Sequence, residues 1–449
     1  MTVHTTLDST MLADATAALS DANIAFASAH PGEHAGRQPV HTVYGGAQLF
    51  AFDSIPKLGA LALRAMDSYA PNAGALGAAL GMEHHPALTT IDERVRAKLT
   101  REPIEDYRID FEDGYGNRPD AEEDRHAGLV VQALQRGMRE NTLPPFIGIR
   151  IKTFSEELRA RATRTLDLVV TGLVEGGGLP EHWIVTIPKV TIIAQVHYTV
   201  AVLGQLEQRL GLPNGTLRFE IMVETPQSII GADGRSLLPR LRDAADGRMR
   251  GAHFGTYDYT ASCNITAAHQ HMQHPACDFA RHFMQVAFAG TEVWLSDGST
   301  TVMPVPVHRR ADGAPPLSDA QQRANAGSVH AAWQRHLGDV RHSLTSGFYQ
   351  GWDLHPAQLV SRYAALYSFF LEGIDAAGAR LRNFVGKAAQ ASLVGDVFDD
   401  AATGQGLLNF FLRGINSGAV TEAEALSMTG LTAEEFRGRS FLKILSART

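Results

Sequence analysis

Cysteine is the scarcest informative residue: the 449-residue chain has two, Cys263 and Cys277. Two cysteines cannot build a disulfide framework or a four-ligand zinc site on their own, and both read most simply as small buried apolar residues. Long hydrophobic runs are missing too. The longest stretch of small apolar residues, 73–82, is about half the length that crosses a bilayer. The first basic residue is Arg37, so the chain does not open on the charged segment of a signal peptide. No polybasic run occurs, and 40 Lys and Arg against 48 Asp and Glu give a formal charge of −8. That balance argues against nucleic acid and membrane surfaces as partners. Together these absences predict a cytoplasmic, soluble enzyme or binding protein.

What is present is ample material for a core, with 44% hydrophobic and 20% charged residues. Short β-like runs fall at residues 41–52, 107–111, 146–151, 183–190, 218–223, 251–255, 292–295 and 348–354. Amphipathic helical stretches separate them, among them 121–140, 155–175, 194–210 and 277–289. Eight strands alternating with helices predict an α/β fold, a (β/α)8 TIM barrel. The competitor is an open doubly wound sheet, which usually carries a G-x-G-x-x-G turn after its first strand. Tyr44-Gly45-Gly46-Ala47 lacks that spacing. The expected layout is an N-terminal extension over 1–40, a barrel over 41–380 and a helical C-terminal segment over 381–449. A helix is predicted at 10–19 behind the caps Ser9 and Thr10, and an insertion at 71–101 after the first barrel unit. A long loop is predicted at 302–325, with tail helices at 407–415, 421–428 and 432–441.

Catalytic groups of such barrels sit at the C-terminal ends of the strands. The polar residues following each apolar run are Glu112 and Asp113, Arg150, Lys189, Glu224, Asp258, Asp297 and His355. Asp110-Phe111-Glu112-Asp113-Gly114 sets adjacent carboxylates at a strand end, a costly arrangement without a cation or hydrogen bonds to offset it. Glu224, in Met222-Val223-Glu224-Thr225-Pro226, and Asp258, in His253-Phe254-Gly255-Thr256-Tyr257-Asp258, are a candidate ligand pair for one hard divalent ion. Taken singly, such acids are more often helix caps or first-turn residues than ligands. Arg150, amid Ile149-Arg150-Ile151, either faces inward as a fork for a carboxylate or outward past a helix. The histidines His84 and His85, and His269, His271 and His274, show no H-E-x-x-H spacing and predict no second metal.

The order of these motifs, with Ile187-Pro188-Lys189-Val190 and Gly351-Trp352-Asp353-Leu354-His355-Pro356-Ala357-Gln358, resembles the HpcH/HpaI aldolase and citrate lyase beta-subunit superfamily, to which malate synthases are related. The likeness spans about residues 105–365 and reads as a long-form member. It implies a barrel whose Mg2+, or Mn2+ or another divalent ion, is held by Glu224 and Asp258. It further implies that Arg150 binds substrate and that Glu112 and Asp113 organise metal-bound water and neighbouring side chains. Lys189, Gly255 and Thr256 are expected substrate contacts beside them. Family members make or break a carbon–carbon bond through an enolate held on the metal.

Departures leave the general base open. Sugar-acid aldolases of this kind carry a His after strand two, where this chain has Glu112-Asp113-Gly114-Tyr115. Malate synthases take a base from a C-terminal domain, and Asp396, Asp399 and Asp400 match no such motif. The expected function is a Mg2+-dependent carbon–carbon lyase of aldolase type on a small 2-oxo or 2-hydroxy carboxylate. The alternatives are an acyl-CoA lyase or malate-synthase-like condensing enzyme using a CoA thioester, and a non-catalytic metal- and metabolite-binding barrel. Apolar Leu407, Leu408, Phe410, Phe411 and Leu412 need a covering surface, which predicts a homo-oligomer with the tail over a barrel mouth.

Overall fold

The computed structural model describes residues 6–7, 12–32, 34, 36–310, 313, 315–386, 392–394, 397–399 and 401–448. Eight parallel strands close into a barrel: β1 His41–Gly46, β2 Asp106–Asp110, β3 Phe146–Arg150, β4 Trp183–Ile187, β5 Phe219–Val223, β6 Met249–Phe254, β7 Trp294–Ser299 and β8 Gln350–Asp353. Closure sets β8 beside β1, with His41 opposite Gly351. Each strand overlaps one of the expected runs. The first is shorter than its apolar pattern, because the chain turns at Ala47–Leu49 into a single 3-10 turn. No helix among the described residues is long and apolar enough to cross a membrane.

Strand alternation sends one set of side chains to the surrounding helices and the other into the lumen. The outward set, such as Ile109, Ile149, Val185 and Ile221, is wholly buried. The lower lumen, where branched apolar residues commonly pack, is ionic here. Arg108 donates from Nε and Nη2 to the two carboxylate oxygens of Glu220, each at 2.9 Å, and from Nη1 to Asp106. His253 Nε2 lies 3.1 Å from Glu220, and Thr42 donates to Asp106 at 2.9 Å. A buried pair of this kind needs its remaining polar atoms satisfied to offset desolvation, and Thr186 supplies a further donor to Glu220. A second buried knot fastens the seam. Asp353 of β8 lies 2.8 Å from His41 Nδ1, 3.0 Å from His336 and 2.8 Å from Arg362. This joins β1 and β8 to the helices Asp319–Thr345 and Gln358–Leu371.

Flanking segments refine the expectations. The N-terminal helix runs Ala13–Ala29, without a buried side chain, while Ser9 and Thr10 lie outside the described residues. Helices Ala73–Leu80 and Leu88–Arg101 fill the 71–101 stretch. The loop expected to reach 325 ends at Ser318, which caps Asp319–Thr345 through a reciprocal box with Gln321. Cys277 is buried as expected but Cys263 is exposed, because it ends the short helix Thr256–Ser262 on the surface.

The tail folds as Ile374–Gly386, Ala401–Ser417, Glu422–Thr429, Ala433–Gly438 and Phe441–Arg448. Leu408 and Phe411 are buried, and Phe384 stacks on Phe441 at 4.9 Å. Asn416 accepts from the Gln38 amide at 3.0 Å and donates back to its carbonyl at 2.8 Å. Gln38 in turn reaches Gln350 at the start of β8. Within the chain, therefore, the tail lies beside the N-terminal end of the barrel, opposite the rim expected to carry chemistry. Asp396 and Asp400 lie outside the described residues. Truncation after residue 385 should uncover Phe370, Leu381 and Phe384 and cost on the order of 5 kcal/mol. Denaturant unfolding checks this; a truncated chain with unchanged stability would refute it.

Candidate active site

At the C-terminal rim, six of the expected residues meet. Asp110 ends β2 and Arg150 ends β3, side by side in register. Arg150 donates Nε to Asp110 Oδ1 at 2.7 Å and Nη2 to Oδ2 at 2.5 Å. The same carboxylate accepts the backbone N–H groups of Glu112 at 2.9 Å and Gly114 at 2.7 Å. This inward-facing fork is thus already occupied by Asp110, quoted in the sequence motif but given no role there. What Arg150 leaves free is Nη1, buried without a hydrogen-bond partner, 3.4 Å from Glu112 Oε2 and 4.0 Å from Asp113 Oδ2. The guanidinium also lies 4.9 Å from the Tyr44 ring and 5.4 Å from the Trp352 ring. Tyr44 and Trp352 went unassigned in the sequence; alternation puts them on the faces of Thr42 and Gln350, which closure of the barrel turns into the lumen. The indole N–H of Trp352 is also buried without a partner.

Lys189, which follows β4 with a left-handed backbone (φ 51°), stands among the acids. Its ammonium pairs with Glu112, and lies 3.3 Å from Asp113 Oδ2 and 3.5 Å from Asp258 Oδ2. Its backbone N–H donates to Glu224 Oε1 at 2.7 Å. Burial disfavours the ammonium, but Glu224, Glu112 and Asp113 outweigh it and raise its pKa. Glu224, 1% exposed, is pushed up to about 8 by burial and by the charge of Asp258, against the pull of Lys189. Burial likewise raises Glu112, with Arg150 and Lys189 opposing. Asp113 is held low despite its burial, by its hydrogen bond to Glu112 and by Arg150 and Lys189.

Gly255 has a steric reason. A Cβ there would lie 2.4 Å from Glu224 Oε2 and 2.5 Å from Glu224 Cβ. Gly255→Ala should therefore displace Glu224 and lower divalent-ion affinity at least tenfold, by calorimetry, with little loss of folded structure by circular dichroism.

The other expected residues are engaged elsewhere. Thr256 is buried and its hydroxyl donates to Met272 Sδ at 3.1 Å, so its side chain does not join the rim cluster. Asp297, within β7, accepts from Arg281 of the helix Pro275–Phe288 at 3.1 Å, and His355 accepts the Ala357 N–H at 3.2 Å in the turn after β8. His274 caps the helix Pro275–Phe288, and His85 lies 3.2 Å from the Ser368 carbonyl.

Among the described residues no group of three or more His, Cys, Asp or Glu side chains forms a metal cage. Two carboxylates with water nonetheless suit Mg2+, which keeps several waters and takes one or two protein ligands. The buried Glu224 beside Asp258 has the charge deficit that such a cation would satisfy, so the donor set fits a hard divalent ion.

The fold is similar to that of a citrate lyase from Burkholderia xenovorans LB400, with a TM-score of 0.55 at 16% identity, over 89% of this chain and 100% of that one. A malate synthase from Haloferax volcanii gives 0.47 at 15% identity, over 91% and 100% of the two chains. The protein CitE from Mycobacterium tuberculosis, solved with magnesium, acetoacetate and coenzyme A, gives 0.46 at 11%, over 89% and 100%. No curated protein matches the chain in sequence. One family model matches residues 19–444, and the chain accordingly belongs to that family, the domain of unknown function DUF6986.

Proposed function

We propose that this protein is a Mg2+-dependent carbon–carbon lyase acting through an enolate on a small 2-oxo or 2-hydroxy carboxylate. In this reading it is a long-form relative of the HpcH/HpaI and citrate lyase beta-subunit enzymes. The observation that carries the proposal is the buried Glu224, which shares Lys189 with Asp258 at a rim that also holds Arg150. A divalent ion held by Glu224 and Asp258 would supply Lewis acidity toward the carbonyl of a 2-oxo acid.

The chain's own groups supply binding and orientation. Arg150 Nη1 is a charged donor without a hydrogen-bond partner, suited to a substrate carboxylate or carbonyl oxygen. Asp110 grips that guanidinium with both carboxylate oxygens along one edge, so the donor is fixed before substrate arrives. The Trp352 N–H is a second free donor, and the Tyr44 and Trp352 rings wall off water beside Arg150. Glu112 and Asp113 hold the ammonium of Lys189, whose charge then opposes that of the neighbouring acids.

Exchange of pyruvate methyl protons in deuterated water tests the reading. Mg2+- or Mn2+-dependent exchange is expected, since enolisation removes a proton next to the carbonyl. A barrel that only binds metal and metabolite would leave the methyl group protonated, and so would overturn the proposal. Cleavage of free acids against CoA thioesters separates an aldolase from an acyl-CoA lyase or condensing enzyme.

A further inference from the structure

The opposite end of the barrel holds a cavity of about 370 Å³, a size that suits a small metabolite. Its walls come from the starts of strands: His182 and Trp183 at β4, Arg218 just before β5, Arg250 in β6 and Trp294 at β7. Its floor is the ionic layer, where Asp106 and Glu220 already share Arg108 and Glu220 also meets His253. The floor is thus internally paired.

The walls are different. Neither Arg218 nor Arg250 has an ion-pair partner among the described residues. They lie close enough that Arg218 works with burial to disfavour the charge on Arg250, and Glu292 offsets this only in part. Arg250 sits where the ladder between β5 and β6 slips: Phe219 faces Met249, but Glu220 faces Gly251. Arg250 is therefore the extra residue of a bulge, a device that re-aims a side chain at a barrel rim. It lies 4.6 Å from the face of Trp294. Trp183, at the start of β4, lines the same cavity. Two guanidinium groups without a carboxylate partner thus face one cavity, a pocket whose charge suits an anion.

We infer that this N-terminal cavity is a binding site for a small doubly charged oxyanion, a phosphate or a dicarboxylate, seated between Arg218 and Arg250 against Trp183 and Trp294. It is separate from the catalytic rim, since its residues open β4 and β5, whose other ends lead into Lys189 and Glu224.

Metal-free protein titrated at about pH 8 with inorganic phosphate, and separately with succinate, tests this by calorimetry and tryptophan fluorescence. Saturable binding of at least one probe is expected, with a dissociation constant weakened at least tenfold in Arg218→Gln/Arg250→Gln and unchanged in Glu224→Gln. Which probe binds distinguishes phosphate from dicarboxylate. Because the two arginines repel each other, the double variant should melt no lower than wild type. Arg218→Gln alone, at an exposed position, supplies a second variant and should weaken binding at least threefold. No saturation with either probe, or affinity unchanged in both variants, would overturn the inference.

Discussion

Replacing Arg150 by Met should destabilise the protein by about 3–5 kcal/mol, because it strands the carboxylate of Asp110 inside the barrel without its cation. Two N–H groups, from Glu112 and Gly114, would remain on Asp110. Arg150 and Asp110 are both almost wholly buried, so water cannot replace the lost partner. The same substitution removes the free Nη1 donor, and activity should fall by at least two decades. Adding Asp110→Asn separates the two losses. The double variant should recover much of the stability, since no unpaired charge is left, yet none of the activity. Arg150→Lys should also fall short, because an ammonium cannot hold Asp110 bidentately and still present a fixed donor. Denaturant unfolding and steady-state kinetics on the three variants check this. Unchanged stability in Arg150→Met would mean that Asp110 does not depend on its charge.

Glu224→Gln and Asp258→Asn should each lower divalent-ion affinity by two decades or more and abolish ion-dependent turnover. The carboxylates are the hard oxygen ligands available for Mg2+, and a neutral amide replaces an anion with a weaker donor. Stability should move little, or rise in Glu224→Gln. Burial and the charge of Asp258 both work against the ionised Glu224, so its removal relieves a cost in the metal-free fold. Calorimetry with Mg2+ and Mn2+, with melting in chelator, measures both effects. Retained ion affinity in the double variant would remove these residues as ligands.

Much of this architecture was legible in the residues. Eight apolar runs separated by helical stretches are what a closed parallel barrel requires, and each run overlaps a strand. The rim acids were legible for a related reason. Glu112 and Glu224 follow directly on apolar runs and Asp258 within three residues of one, and the chain leaves such a barrel toward one face after every strand. Gly255 was legible as a rim residue, although only the tertiary structure shows that its missing side chain makes room for Glu224.

Chain order alone could not decide which groups are spent on each other. Strand alternation shows that Asp106, Arg108 and Asp110 share a face, but not that this face meets the lumen, nor that Glu220 will be opposite. The Arg150–Asp110 fork depends on the register between β2 and β3, and the placement of Lys189 among four acids on the barrel bringing the ends of β2, β4, β5 and β6 together. Cys263 has an ordinary small-residue context in sequence, yet ends a surface helix. The tail's apolar residues announced a need for cover but not its location, since burial is non-directional and any apolar surface satisfies it. Local pattern thus determined the elements and the rim to which their polar ends point. The tertiary structure decided the pairings, because an ion pair or hydrogen bond is set by distances between residues tens of positions apart, and only barrel closure defines those distances.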